Sequence, residues 1–126
     1  DELFSESDIV SLHVPLTDQT RGMIGKEQLF RMKPGAVLIN CARGPVVDSK
    51  ALADALYSRR LLGAGIDVFE TEPPLDKEHP LLKSNYTVVA PHVAFATTEA
   101  MQRRARLVFE NIAAWKDCMP VRVCGG

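Results

Sequence analysis

The sequence has no apolar run near the roughly 18 residues of a membrane-spanning helix, so no transmembrane segment is expected. It has no excess of charge: 15 Lys and Arg stand against 16 Asp and Glu, net −1. That leaves neither the basic footprint of a nucleic-acid binder nor a patch for anionic membrane. Cys41, Cys118 and Cys124 are odd in number and form no CxxC pair, which excludes a disulfide framework and predicts reduced thiols in a cytoplasmic protein. No Cys/His pair has ligand spacing, so no metal site is expected. The Gly-x-Ser-x-Gly elbow of an α/β hydrolase is missing, and no internal repeat occurs. The opening Asp1-Glu2-Leu3-Phe4 lacks the basic and apolar regions of a signal peptide, and the first methionine is Met23. The expectation from that start is a missing upstream segment. What remains is the make-up of an average globular domain: 126 residues, 46% hydrophobic and 25% charged, enough for one core without staples.

Along the chain, short apolar runs alternate with helical spacing. Residues 9–14, ended by Pro15, predict a strand, and residues 26–32 a short helix stopped by Pro34-Gly35. Residues 36–41 are apolar up to Asn40, the pattern of a strand covered on both faces, with Cys41 packed as a small hydrophobe. Asp48 or Ser49 is the candidate cap of a helix bearing Leu52, Ala55 and Leu56. A third strand is predicted over 64–69, a long functional loop over 70–85 and a fourth strand over 87–90. From a Thr97 or Thr98 cap, Met101, Ala105, Val108, Phe109, Ile112 and Trp115 mark one apolar stripe of a long helix, with Phe109 and Trp115 read most simply as core, or else as packing against a partner subunit in a longer parent. Gly125-Gly126 reads as a frayed end. The alternation predicts an α/β fold with a parallel sheet and right-handed crossovers.

In such sheets ligands bind outside the carboxyl ends of the strands. Three predicted strands there deliver Arg43, Glu72 and His92 to one edge. Arg43 offers a fork of donors that fits a carboxylate; His92 can carry a proton near neutrality; Glu72 within reach would fix the imidazole tautomer. Such a set, beside a hydride acceptor, suits reversible oxidation of a 2-hydroxy acid. Plainer readings stand next to it. An Arg after a strand can be a surface charge, a Glu before Pro-Pro can be solvated, and a His after Pro can close a strand. His13 reads as a satisfied core or strand-end histidine, His79 as a solvated loop residue, and Arg103, Arg104 and Arg106 as a solvated face.

Three longer motifs add to this: VLINCARGPVVD at 37–48, GAGIDVFETEPP at 63–74 and APHVA at 90–94. Together with HVPL at 13–16 and Asn111-Ile112, they resemble, in order, the D-isomer-specific 2-hydroxyacid dehydrogenases, from Asp8 to about Trp115. The resemblance implies that Arg43 holds the substrate carboxylate, that His92 is the acid/base and that Glu72 is its partner. It also implies an NAD cofactor touching Val14, Pro15, Cys41, Ala42, Arg43, Asp67 and His92, with Val93 and Ala94 closing over it. Glu72 stands where the related formate dehydrogenases carry glutamine, and Ala94-Phe95 departs from the Gly-Gly of many members.

A Rossmann domain normally opens with Gly-x-Gly-x-x-Gly between strand and helix, followed by an acidic residue that tells NAD from NADP. Neither occurs here; Gly63 and Gly65 precede a strand. The resemblance makes NAD the expected cofactor, and the absence of that acidic residue leaves NADP open. Residues 1–96 are expected to be the second half of a dinucleotide-binding domain, and 97–126 a helix and tail returning towards a missing substrate domain. The resemblance further implies a small 2-oxo or 2-hydroxy acid substrate and a homodimeric parent. Glu78-His79-Pro80-Leu81-Leu82 is similar to the glyoxylate/hydroxypyruvate reductases. A non-catalytic NAD(H)-sensing module like the C-terminal-binding corepressors, or an inactive truncated product, are the rival readings.

Overall fold

The computed structural model describes residues 2–71 and 75–123. Two compact units divide the chain, residues 1–92 and 93–126.

The first unit is built on a four-stranded parallel sheet, in sequence order. A short helix, α1 (Glu2–Glu6), precedes β1 (Ile9–Leu12). Next come α2 (Lys26–Arg31), β2 (Ala36–Asn40), a 3-10 turn at Gly44–Val46, α3 (Ser49–Tyr57), β3 (Leu61–Ile66) and β4 (Thr87–Val89). Helix α3 starts where the chain supplies a cap: the Asp48 carboxylate accepts the Ala51 N–H at 3.0 Å. It ends at Ser58, followed by Arg59 in the left-handed region at φ 60°, a common helix-stop geometry.

One face of the sheet carries the core. Val10, Leu12, Ala36, Leu38, Ala64 and Ile66 alternate inward and share a single buried cluster with Leu29 of α2 and Leu52, Ala55 and Leu56 of α3. On the other face Val37 and Ile39 are half-buried and Ile9, Leu62 and Val88 are exposed, so β2 is covered on one side where both were expected. Alternation is visible in β1 and hidden in the continuously apolar β2, which is why β2 reads as doubly buried.

Strand ends follow pairing, not hydrophobicity. Asn40 is the partner of both Leu12 and Ile66, so the ladder stops there on three strands at once. The third strand accordingly spans 61–66 and not 64–69, and the first stops at Leu12 and not at Val14. Asp67, Val68 and Phe69 run past the ladder towards the edge. The 70–85 stretch contains no strand or helix among its described residues, and Leu81 anchors it in the core. Neither α1 nor the 3-10 turn was predicted: α1 buries no residue and the turn is only three residues long, so neither imprints a period on the sequence.

The second unit is dominated by α4 (Thr98–Lys116), capped by Thr97, whose hydroxyl accepts the Ala100 N–H at 3.1 Å. No residue of α4 is buried, and Phe109 and Trp115 are 72% and 75% exposed, against the expectation of core positions. The amphipathic spacing is real; the surface it would bury against is not part of this unit. The guanidinium of Arg122 bonds Asn111 and Glu110, and Arg106 lies 3.6 Å from Glu110. No helix among the described residues is long and apolar enough to cross a membrane.

Candidate active site

Four strands pointing the same way put four strand exits on one edge. Val14 and Pro15 follow β1; Cys41, Ala42 and Arg43 follow β2; Asp67 follows β3; His92 follows β4.

Backbone bonds join three of these exits directly. The Asp67 N–H donates to the Asn40 carbonyl at 3.0 Å, and the His92 N–H donates to the Asp67 carbonyl at 2.8 Å. Asn40, 1% exposed, completes the series with its side chain: Oδ1 accepts the Ala42 N–H at 3.1 Å and Nδ2 donates to the Arg43 carbonyl at 3.1 Å. The amide therefore folds the Ala42–Arg43 turn around itself. Nothing in the sequence reading assigned Asn40 this part, although the one polar residue ending an otherwise apolar strand was its signal.

His92 is held in the left-handed region at φ 57°, which costs a non-glycine residue roughly 1–2 kcal/mol. Such conformations collect at functional sites when the surroundings over-determine them. Here the bond to Asp67 supplies part of that constraint.

His92 and the buried Asp67 line one cavity of about 230 Å³, whose other walls include Val68, Phe69, Leu82, Val89 and Pro91. A mostly apolar lining that includes an aspartate and a histidine suits a flat, amide-bearing ring, so the residues fit a nicotinamide. Arg43 is exposed and is not among the residues lining the cavity; its guanidinium donates to the Ala42 carbonyl at 2.7 Å. Its turn is nevertheless locked to β3's exit. A Cβ added at Gly44 would stand 1.9 Å from the carbonyl carbon of Phe69, so only glycine lets the two backbones meet.

Among the cofactor candidates, Val14 is half-buried against the core, the Pro15 carbonyl accepts the Thr20 hydroxyl at 2.7 Å, and Ala42 is buried. Cys41 is exposed, past the last residue of β2, and so is not the packed hydrophobe expected there. Ala94 belongs to the second unit and is exposed. Glu72, expected to partner His92, lies outside the described residues, as does Cys124.

Two other histidines are placed by the structure. His13 is an exposed strand-end residue bonded to the Ser11 hydroxyl at 2.8 Å, not a core one. His79 is not solvated: its side chain is 12% exposed, 3.1 Å from a Glu70 carboxylate oxygen.

The family model for the D-isomer specific 2-hydroxyacid dehydrogenase NAD binding domain matches residues 1–94. The chain belongs to this family. Of its members, a glyoxylate reductase of Korarchaeum cryptofilum is 53% identical over 116 residues, covering 92% of this chain and 35% of that protein. A glyoxylate reductase of Thermofilum pendens is 54% identical over 121 residues, covering 95% of this chain and again 35% of the relative. The D-lactate dehydrogenase of Aquifex aeolicus, solved with NAD and lactic acid, superposes with a TM-score of 0.80 at 35% identity, covering 94% of this chain and 40% of that one. The chain thus spans about a third of the length of the curated relatives it matches.

Proposed function

We propose that this chain contributes the second half of the dinucleotide domain, residues 1–96, and a returning helix and tail, residues 97–126, to a longer NAD-dependent D-2-hydroxyacid dehydrogenase. Its substrate is a small 2-oxo acid of the glyoxylate or hydroxypyruvate kind, or the corresponding 2-hydroxy acid. The observation that carries this reading is the bonded series Arg43–Asn40–Asp67–His92 across three strand exits, with His92 and Asp67 on one apolar cavity.

Reduction of a 2-oxo acid places a hydride on C2 and a proton on the C2 oxygen. Val14, Pro15, Cys41, Ala42, Arg43, Asp67 and His92 would hold the NAD, which would supply the hydride chemistry when bound. His92 gives the proton to the developing alkoxide and takes it back in the oxidative direction. Arg43 grips the substrate carboxylate with its fixed fork of donors. Glu72 acts as the carboxylate partner of His92. The apolar cavity walls exclude water from the reacting centre. The odd number of cysteines without a CxxC pair supports a cytoplasmic location, and the exposed stripe of α4 supports a parent that buries it, as a homodimer would.

The test is NADH oxidation by the parent protein with glyoxylate, hydroxypyruvate and related 2-oxo acids. Turnover with one of them is expected. A parent that binds NADH, reduces none and captures a protein partner instead is a sensing module, and the dehydrogenase reading fails.

A further inference from the structure

We propose that His79 is a positioning residue that sets the Phe69–Glu70 exit of β3, and through it both the cavity holding His92 and the turn bearing Arg43; this rests on the dehydrogenase reading of that site. The imidazole has both nitrogens engaged. Nδ1 accepts the Leu81 N–H at 3.3 Å, which leaves the hydrogen on Nε2, and Nε2 donates to Glu70 Oε2 at 3.1 Å. The ring also meets the Phe69 ring edge-on, with centroids 5.2 Å apart at 88°. Leu81, 2% exposed, fixes one end of this arrangement in the core. His79 and Glu70 are nine positions apart in sequence, so their bond closes a loop and removes conformations open to the β3 exit.

Phe69 carries the effect in two directions. Its side is a wall of the cavity shared by Asp67 and His92. Its backbone lies so close to Gly44 that displacing it displaces the residue next to Arg43. No other described residue makes a side-chain hydrogen bond or ion pair with Glu70 that the structure records, so the imidazole is the group that orients it.

The test uses the parent protein with His79→Phe, His79→Gln, Glu70→Ala and the double variant His79→Phe/Glu70→Ala. The glutamine amide nitrogen can occupy the Nε2 place and keep the bond to Glu70. With the 2-oxo acid that the wild type reduces, His79→Phe should lower kcat about tenfold and raise KM for the acid several-fold. His79→Gln should stay within about twofold of wild type, and the double variant should be no worse than His79→Phe. Hydrogen exchange followed by mass spectrometry supplies the readout independent of turnover. His79→Phe should speed exchange at the amide of His92, which is bonded to the Asp67 carbonyl, and His79→Gln should not. A wild-type parent inactive with every 2-oxo acid overturns the dehydrogenase reading, and the exchange comparison then decides on His79 by itself. Equal exchange in all variants, a phenylalanine variant with wild-type kinetics, or a glutamine variant as impaired as the phenylalanine one overturns the positioning role.

Discussion

The His92 amide donates to the Asp67 carbonyl at 2.8 Å from a backbone turned to φ 57°. One bond thus ties the candidate acid/base to the neighbouring strand exit and offsets part of the strain of a left-handed histidine. The backbone thus contributes to where this residue stands separately from the imidazole.

That separation can be measured. Removing the side chain as His92→Ala leaves the strain in place, whereas His92→Gly relieves it. In denaturant unfolding, the glycine variant should be the more stable of the two by about 1 kcal/mol. Equal stabilities would mean that the left-handed backbone is not strained.

Gly44 should be irreplaceable for a different reason. A methyl group at Gly44 would overlap the Phe69 backbone, which cannot swing aside like a flexible side chain. Gly44→Ala should cost at least the roughly 1–3 kcal/mol of an overpacked site. At Gly65 an added Cβ meets only the Ile39 side chain, at 3.8 Å, and Gly65→Ala should be tolerated. Thermal melts of the two variants that coincided would refute the contrast.

Most of this architecture was legible before the structure. Parallel α/β order, the Asp48 cap and the placing of Arg43 and His92 at one edge follow from apolar runs ended by polar or proline residues; Glu72, expected at the same edge, lies outside the described residues. Strand ends were misjudged where hydrophobicity continues beyond pairing, as at Asp67–Phe69, because the ladder depends on a partner strand that local sequence does not name. His79 reads as solvated because its loop is polar; what buries it is Phe69, ten positions earlier, together with the core anchor at Leu81. Phe109 and Trp115 have the spacing of a buried face, and spacing cannot say which surface covers it.

Asn40 offers a test of how the Arg43 turn is shaped. Asn40→Ala leaves the buried Ala42 N–H without its acceptor and should cost about 1–3 kcal/mol. Asn40→Asp keeps that acceptor but loses the donor to the Arg43 carbonyl. In the parent, Asn40→Asp should therefore raise KM for the acid substrate more than it lowers kcat. A change confined to kcat would contradict the assignment of Arg43 to carboxylate binding.

The chain taken alone should be a poor enzyme. Its sheet ends at β1, which pairs only with β2 among the described strands, and its sequence has no Gly-x-Gly-x-x-Gly turn to receive a pyrophosphate. Purified as 126 residues, it should bind NADH weakly and reduce no 2-oxo acid. Measurable turnover in that preparation would contradict the reading of a half-domain.

Steady-state kinetics of the parent carrying Arg43→Gln or His92→Gln would probe the division of labour most directly. His92→Gln should nearly abolish kcat while leaving KM for the 2-oxo acid within a few-fold, since only the proton carrier is lost. Arg43→Gln should raise that KM by one to two orders of magnitude, the about 1.5–3 kcal/mol of a charge-assisted hydrogen bond, and lower kcat as well. Wild-type kcat/KM in either variant would contradict the account.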